Sequence, residues 1–260
     1  MIPYFHIPPL RLGPLTVQPF GVLAAAGVYL ASVLLVRRAR EEGLDPTPLN
    51  AFATWALLGG IAGGHLVHLF LYHPEELRSG GALQIFKVWD GLSSTGGVLG
   101  GLACGAAFFR ARRLSFAAYG DVFALSVAPG WAVARLGCFS VHDHPGVLTR
   151  FPLAVAFPGG ARHDLGLYDA LLLAAITAVL YALRRRGELR GVLLAVLALV
   201  YGVGRFLLDF LRARDLPYSD ARYAGLTPAQ WFCVALVVYG ASVVAARLRE
   251  ARTGARAPRA

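Results

Sequence analysis

The feature that most constrains this chain is a row of apolar runs, each near the length of a bilayer crossing, with arginines packed against alternate ends. A spanning helix takes about 20 mostly apolar residues. Seven segments meet or approach that length: 17–36, 51–72, 96–109, 116–139, 165–183, 192–211 and 228–246. The third is short. Either it is tilted in from a partly inserted stretch at 83–95, or it extends beyond its apolar centre.

The arginines set an orientation. Arg37, Arg38 and Arg40 follow the first run, and Arg110, Arg112 and Arg113 follow the third. Arg184, Arg185, Arg186 and Arg190 follow the fifth, and Arg247, Arg249, Arg252, Arg256 and Arg259 follow the seventh. Dense basic clusters beside membrane helices stay in the cytoplasm. The expectation is an all-α integral membrane protein of about seven transmembrane helices, with its N-terminus outside and its C-terminus cytoplasmic. Residues 1–250 form one membrane domain, and 251–260 a disordered basic cytoplasmic tail.

Composition agrees. The 260 residues are 57% hydrophobic and 15% charged, against about 25% charged in soluble domains. The net charge of +10 follows from the arginine clusters, so nucleic acid is not an expected partner. The first 19 residues lack the basic start, apolar stretch and small-residue cleavage site of a signal peptide, so the first helix is expected to be retained. Cys104, Cys138 and Cys233 form no Cys-x-x-Cys pair, which argues against a disulfide framework or a cysteine metal cluster.

An ionisable group in a membrane helix costs roughly 2.5–3.5 kcal/mol on insertion scales and marks a candidate site. Arg135 stands near the outer end of the fourth run. It either forks onto a lipid phosphate or snorkels to the interface. Arg205 and Asp209 lie four apart on one helix face with Arg212 three further on. They form either a self-neutralised ladder or a second anion site. His65 and His68, with His142, His144 and His163 near Asp143 and Asp164, either hold a metal or make polar turns; no metal is expected. Gly96 and Gly97 open a helix whose first amides suit an anion. The long segments 72–95, 140–164 and 212–227 all fall on the outer side, where a site is expected.

In order, these pieces resemble the prolipoprotein diacylglyceryl transferase family over most of the chain. The family's V-W-D-G…H-G-G run is similar to Val88-Trp89-Asp90-Gly91…Thr95-Gly96-Gly97. Its G-R-x-G-N-F-x-N-G-E-x-x-G run resembles the stretch from Ala134 to Gly146. F-P before a polar loop resembles Phe157-Pro158, and H-P-S-Q-L-Y-E resembles His163 to Asp169. Y-G-x-x-R-F-x-x-E-F-x-R resembles Tyr201 to Arg212, and G-L-T…Q-W resembles Gly225 to Trp231.

The resemblance implies a bacterial inner-membrane enzyme, multi-pass, with its active face outward. It would take phosphatidylglycerol from the membrane and place the diacylglyceryl group on the lipobox cysteine of a prolipoprotein signal peptide, without a cofactor. It implies Arg135 and Arg205 as phosphate clamps, Asp143 and Gly146 shaping the site, and Gly96, Gly97 and Tyr168 beside the substrate. The pattern departs in places. The family's motif histidine is Thr95 here, its two asparagines are Cys138 and Val141, and its glycine-glutamate pair is His142-Asp143. A first-helix tyrosine is Phe20, and a second-helix arginine and tyrosine are His65 and His68. Either an imidazole has moved, with His142, His144 or His65 standing in as base, or the thiol ionises with help from the arginines alone, or the chain keeps phospholipid binding with another acceptor or none. A transporter is the remaining class, but no inverted repeat is visible.

Overall fold

The computed structural model describes residues 1–253 except Pro14, Asp90, Glu188 and Tyr218. Most of the expected basic tail, 254–260, lies outside the described residues, as does the aspartate of the V-W-D-G resemblance. In chain order the elements are β1 (Ile2–Pro3), β2 (Leu10–Leu12), β3 (Leu15–Val17), α1 (Pro19–Glu41) and α2 (Thr47–Val67), which runs on as a π turn at His68–Tyr72. Then come α3 (Pro74–Gly80), a 3₁₀ turn (Ala82–Phe86), α4 (Ser94–Ala111) and α5 (Phe116–Val141). After β4 (Pro145–Leu148), β5 (Val155–Phe157) and β6 (Gly160–Asp164) follow α6 (Leu165–Arg186), α7 (Leu193–Leu208) with a 3₁₀ turn at Asp209–Leu211, and α8 (Pro228–Thr253).

Every expected span is a helix. Among the described residues, α1, α2, α5, α6, α7 and α8 are long and apolar enough to cross a membrane. The third expected span falls on α4, which has 18 residues and is not among those six. At 1.5 Å per residue it reaches about 27 Å, just under the roughly 30 Å hydrocarbon core. The chain is a multi-pass membrane protein, and large apolar side chains such as Tyr29, Trp55 and Val238 stand on its outer surface.

Local chemistry sets the helix starts. Proline occupies the first turn of α1 and α2. Ser93, Ser115 and Asp164 accept from Gly96, Ala118 and Leu167 amides at the starts of α4, α5 and α6. The arginine-rich ends gather at one end of the bundle. Arg184 bonds Glu41 at 3.3 Å and Glu42 at 2.8 Å. Asp121 near the start of α5 accepts the Gly191 and Leu193 amides at the start of α7 at 2.6 and 2.8 Å.

The helices pack as α1 on α5, α2 on α4, α5 on α6 and α7 on α8, while α1 and α2 touch little. Leu125, Leu173, Ile176, Leu180, Leu197 and Tyr201 form the core between α5, α6 and α7. A second cluster, including Phe52, Phe108, Phe109, Tyr119 and Phe123, joins the α2–α4 hairpin to α5. At the end of the bundle away from the arginine clusters lies a four-stranded sheet in the order β1-β5-β6-β4, with β1 parallel to β5 and the other pairs antiparallel. Sequence reading treats 140–164 as a loop. Its strands are three to five residues long, too short for an alternating pattern, and their parallel partner is the far N-terminus.

Candidate functional site

Charges buried among apolar helices must be paired, because the interior cannot solvate them. Arg135 in α5 and Arg205 in α7 are each 4% exposed, and Asp169 in α6 and Asp209 after α7 are 0% exposed. A single Asp169 oxygen lies 3.4 Å from Arg135 Nε and 3.6 Å from Arg205 Nε. Both distances hold the guanidiniums in place while exceeding a good hydrogen bond. Arg205 Nη2 reaches Asp209 Oδ1 at 2.9 Å. Asp209 also accepts the Thr227 hydroxyl and lies 3.8 Å from Arg212, whose Nε meets Asp220 at 2.5 Å. Arg205 Nη1 is buried with no hydrogen-bond partner among the described residues. Arg135 Nη1 points at Cys138 Sγ, 3.6 Å away.

Both arginines line a cavity of about 640 Å³ between the α1/α5 and α2/α4 pairs. Its polar end holds Arg135, Cys138, Asp143, His144, Arg205 and Arg212. Its long arm is apolar, walled by Val28, Leu35, Leu57, Ile61, Phe123 and Val127. Phe20 and Leu35 on α1 both border it, a separation of about 22 Å at 1.5 Å per residue. Facing the arginines from the hairpin are His68, Tyr72 and Thr95. Tyr72 and Thr95 hydroxyls lie 3.2 Å apart, and His68 Nε2 meets Glu76 at 3.2 Å. Such a space suits an amphiphile: chains along the arm, an anion between two guanidiniums in a low-dielectric setting.

The expected site residues fall into two groups. Arg135, Arg205, Asp143 and Gly97 meet at this cavity. Gly96 stands behind its wall, where a Cβ would come 2.3 Å from the Gly63 carbonyl. Gly146 in β4 bridges to Arg212, and a Cβ there would come 2.6 Å from the Leu211 carbonyl. Its role is to let that strand pass the end of α7. Tyr168 faces a separate groove of about 390 Å³ bordered by Phe151, Leu171 and Leu208, with its hydroxyl 2.9 Å from His163 Nδ1.

His142, expected as a stand-in base, is not among the cavity-lining residues. It ends α5 in a left-handed conformation at φ 51°, a step that turns the chain. Its ring is buried among Tyr4, Phe5, Phe139 and Phe157, with Nδ1 on Asp164 at 2.7 Å. Burial pushes the Asp164 carboxyl up, against the pull of the His142 bond. His65 faces Gly91 and Gln84 carbonyls at 3.1 and 2.9 Å, one on each ring nitrogen, so neither nitrogen is open to a substrate. Burial lowers the His163 pKa. These histidines are held by separate partners and do not converge. What does converge is Cys138, Asp143 and His144, each with a donor atom within 4.8 Å of the others.

Asp169 closes the stretch from His163 that resembles a family motif, with no role implied for it. It is the lone acid in an apolar run, and the insertion-cost rule that singled out Arg135 applies to it equally.

The family model described as prolipoprotein diacylglyceryl transferase matches residues 9–246. Similar proteins include those named phosphatidylglycerol–prolipoprotein diacylglyceryl transferase from Chromohalobacter salexigens, 32% identical with 92% of each chain covered, and from Azotobacter vinelandii, 33% identical over 97% of this chain and 99% of the relative. The protein of that name from Pseudomonas aeruginosa is 30% identical over 94% of this chain and 95% of its own.

Proposed function

The chain belongs to the prolipoprotein diacylglyceryl transferase family, and we propose that it moves the diacylglyceryl group of phosphatidylglycerol onto the lipobox cysteine of a prolipoprotein. The observation that carries this is the pairing of two buried arginines with a long apolar arm in one cavity. The phosphate sits between Arg135 and Arg205, taking the unspent Arg205 Nη1 donor, and the acyl chains lie between α1 and α2. The peptide thiol attacks the glyceryl carbon bearing the phosphate. A C–S bond forms, the C–O bond breaks, and its electron pair leaves on glycerol phosphate. Charge gathering on that leaving group is what the guanidiniums stabilise, and loss of one such donor costs roughly 10²–10³ in rate.

The arginine-rich helix ends are cytoplasmic by the positive-inside rule. The cavity's polar end then opens toward the outer face of the bacterial inner membrane, where a translocated signal peptide is met.

The test is a purified sample in nanodiscs with phosphatidylglycerol and a lipobox peptide, followed by mass spectrometry of the peptide cysteine. A diacylglyceryl adduct is expected from the wild type and none from Arg135→Ala. An active Arg135→Ala would remove the clamp assignment. Lipid-bound wild type that makes no adduct would point to another acceptor.

A further inference from the structure

A peptide thiol of ordinary acidity, near pKa 8.5, is only about 3% thiolate at pH 7. A group in the cavity that takes the proton would raise the attacking fraction up to about 30-fold. Three imidazoles line it: His68, His73 and His144. Two are engaged on the hairpin side. His68 Nε2 lies on Glu76 at 3.2 Å and His73 Nδ1 on Glu75 at 2.9 Å, and their rings pack at 4.7 Å.

His144 differs. Its Nδ1 lies 2.7 Å from Asp143 Oδ1, and that nitrogen makes no aligned hydrogen bond. Its donor atom stands within 4.8 Å of Cys138 Sγ, and that sulfur is 3.6 Å from Arg135 Nη1. The imidazole is thus one side chain away from the guanidinium that would hold the phosphate. The left-handed step at His142 sends the two neighbouring histidines to different places, His142 into an aromatic cage and His144 into the cavity.

We propose that His144 accepts the acceptor thiol's proton and that the Asp143 carboxylate stabilises the imidazolium that forms; this rests on the transferase reading above. The proton passes from sulfur to the ring, and the sulfur lone pair makes the bond to carbon. The C–O pair departs with the phosphate, and the imidazolium returns its proton to water. Other charged or titratable groups facing the same space are Arg135 and Cys138 from α5, Arg205 from α7, and Arg212 and Asp220 beyond it, with His68, Tyr72 and His73 opposite.

The experiment compares wild type, H144Q and H144N in nanodiscs by peptide mass spectrometry from pH 7 to 9.5, with phosphatidylglycerol binding measured separately by native mass spectrometry. Either variant suffices if the other does not fold. At pH 7 the expected loss is about 30-fold, because only about 3% of the thiol is already ionised there, with lipid binding kept. Near pH 9.5 a thiol of pKa about 8.5 is roughly 90% ionised, so the variants should regain about 30-fold relative to pH 7. Added imidazole should restore part of the activity of H144G. Variants within threefold of wild type at pH 7 overturn the proposal and leave the transferase reading standing. So do lipid-binding variants that stay inactive at every pH and ignore imidazole. A wild type without adduct removes the transferase reading itself.

Discussion

The two walls of the cavity are built by opposite means. The α5–α7 wall is held by buried charge, with Asp169 between Arg135 and Arg205 and Asp209 tying Arg205 to Thr227. The α2–α4 wall is held by bare backbone. A Cβ on Gly100 would come 2.1 Å from the Gly59 carbonyl, and one on Gly63 would come 2.6 Å from that of Gly96. Small residues at four-residue spacing allow that approach. The first wall cannot shift without stranding a charge. The second meets the first through the aromatic cluster of Phe52, Phe109, Tyr119 and Phe123, and the segment after α7 through the Tyr223 hydroxyl on the Leu71 carbonyl at 2.9 Å. The wall proposed to clamp the phosphate carries Arg135 and Arg205, while the hairpin carries Thr95 at the place of the histidine in the motif it resembles.

The contrast breaks most visibly at Asp169. Asp169→Ala removes the counter-charge shared by two buried arginines, and a loss of about 3–5 kcal/mol is expected. Thermal unfolding in detergent measures it, and an unchanged midpoint would show that the charge network is not what holds this wall. On the glycine wall, Gly100→Ala drives a methyl into backbone and should cost about 1–3 kcal/mol. Gly97→Ala, whose Cβ would sit 3.7 Å from its nearest neighbour, should be close to neutral by the same unfolding assay. Equal costs at the two positions would mean that α2 and α4 do not meet as described.

Smaller effects sharpen the picture. Thr95→Val removes the hydroxyl pair with Tyr72 and should cost about 0.5–1.5 kcal/mol. The pH dependence of transfer should not move, since a threonine hydroxyl does not titrate there; a displaced pH profile would return the proton-transfer role to this wall. The least effect belongs to Asp215. Arg162 holds it by two contacts and keeps its carboxyl below the usual range. A depressed carboxylate contributes stability above its unfolded pKa, near 4, and loses it as pH falls through the folded value. The unfolding difference between wild type and Asp215→Asn should be small and flat from pH 7 to 5, and vanish on further acidification. A difference that grew with acid would reverse the sign assigned here.

The seven helices were legible because apolar length and capping residues act locally. All seven predicted spans lie where helices form, with ends set by nearby prolines, Ser93, Ser115 and Asp164. The arginine clusters likewise announced which helix ends share a side. The small sheet was not legible, since β1 finds β5 only after the whole bundle has folded. Of the site, Arg135 and Arg205 stood out as costly charges in apolar runs. His142 and His144 looked equivalent on paper, two imidazoles flanking one aspartate; the left-handed backbone of His142 itself sends them apart. Asp169 carried the same signal as the arginines, but its position between them depends on how α5, α6 and α7 pack. Burial cost, helix length and loop charge are properties of short stretches of chain, so residue order alone determines them. Which charges share a carboxylate, and which histidine meets the cavity, depends on contacts between distant segments, and only the packed bundle decides those.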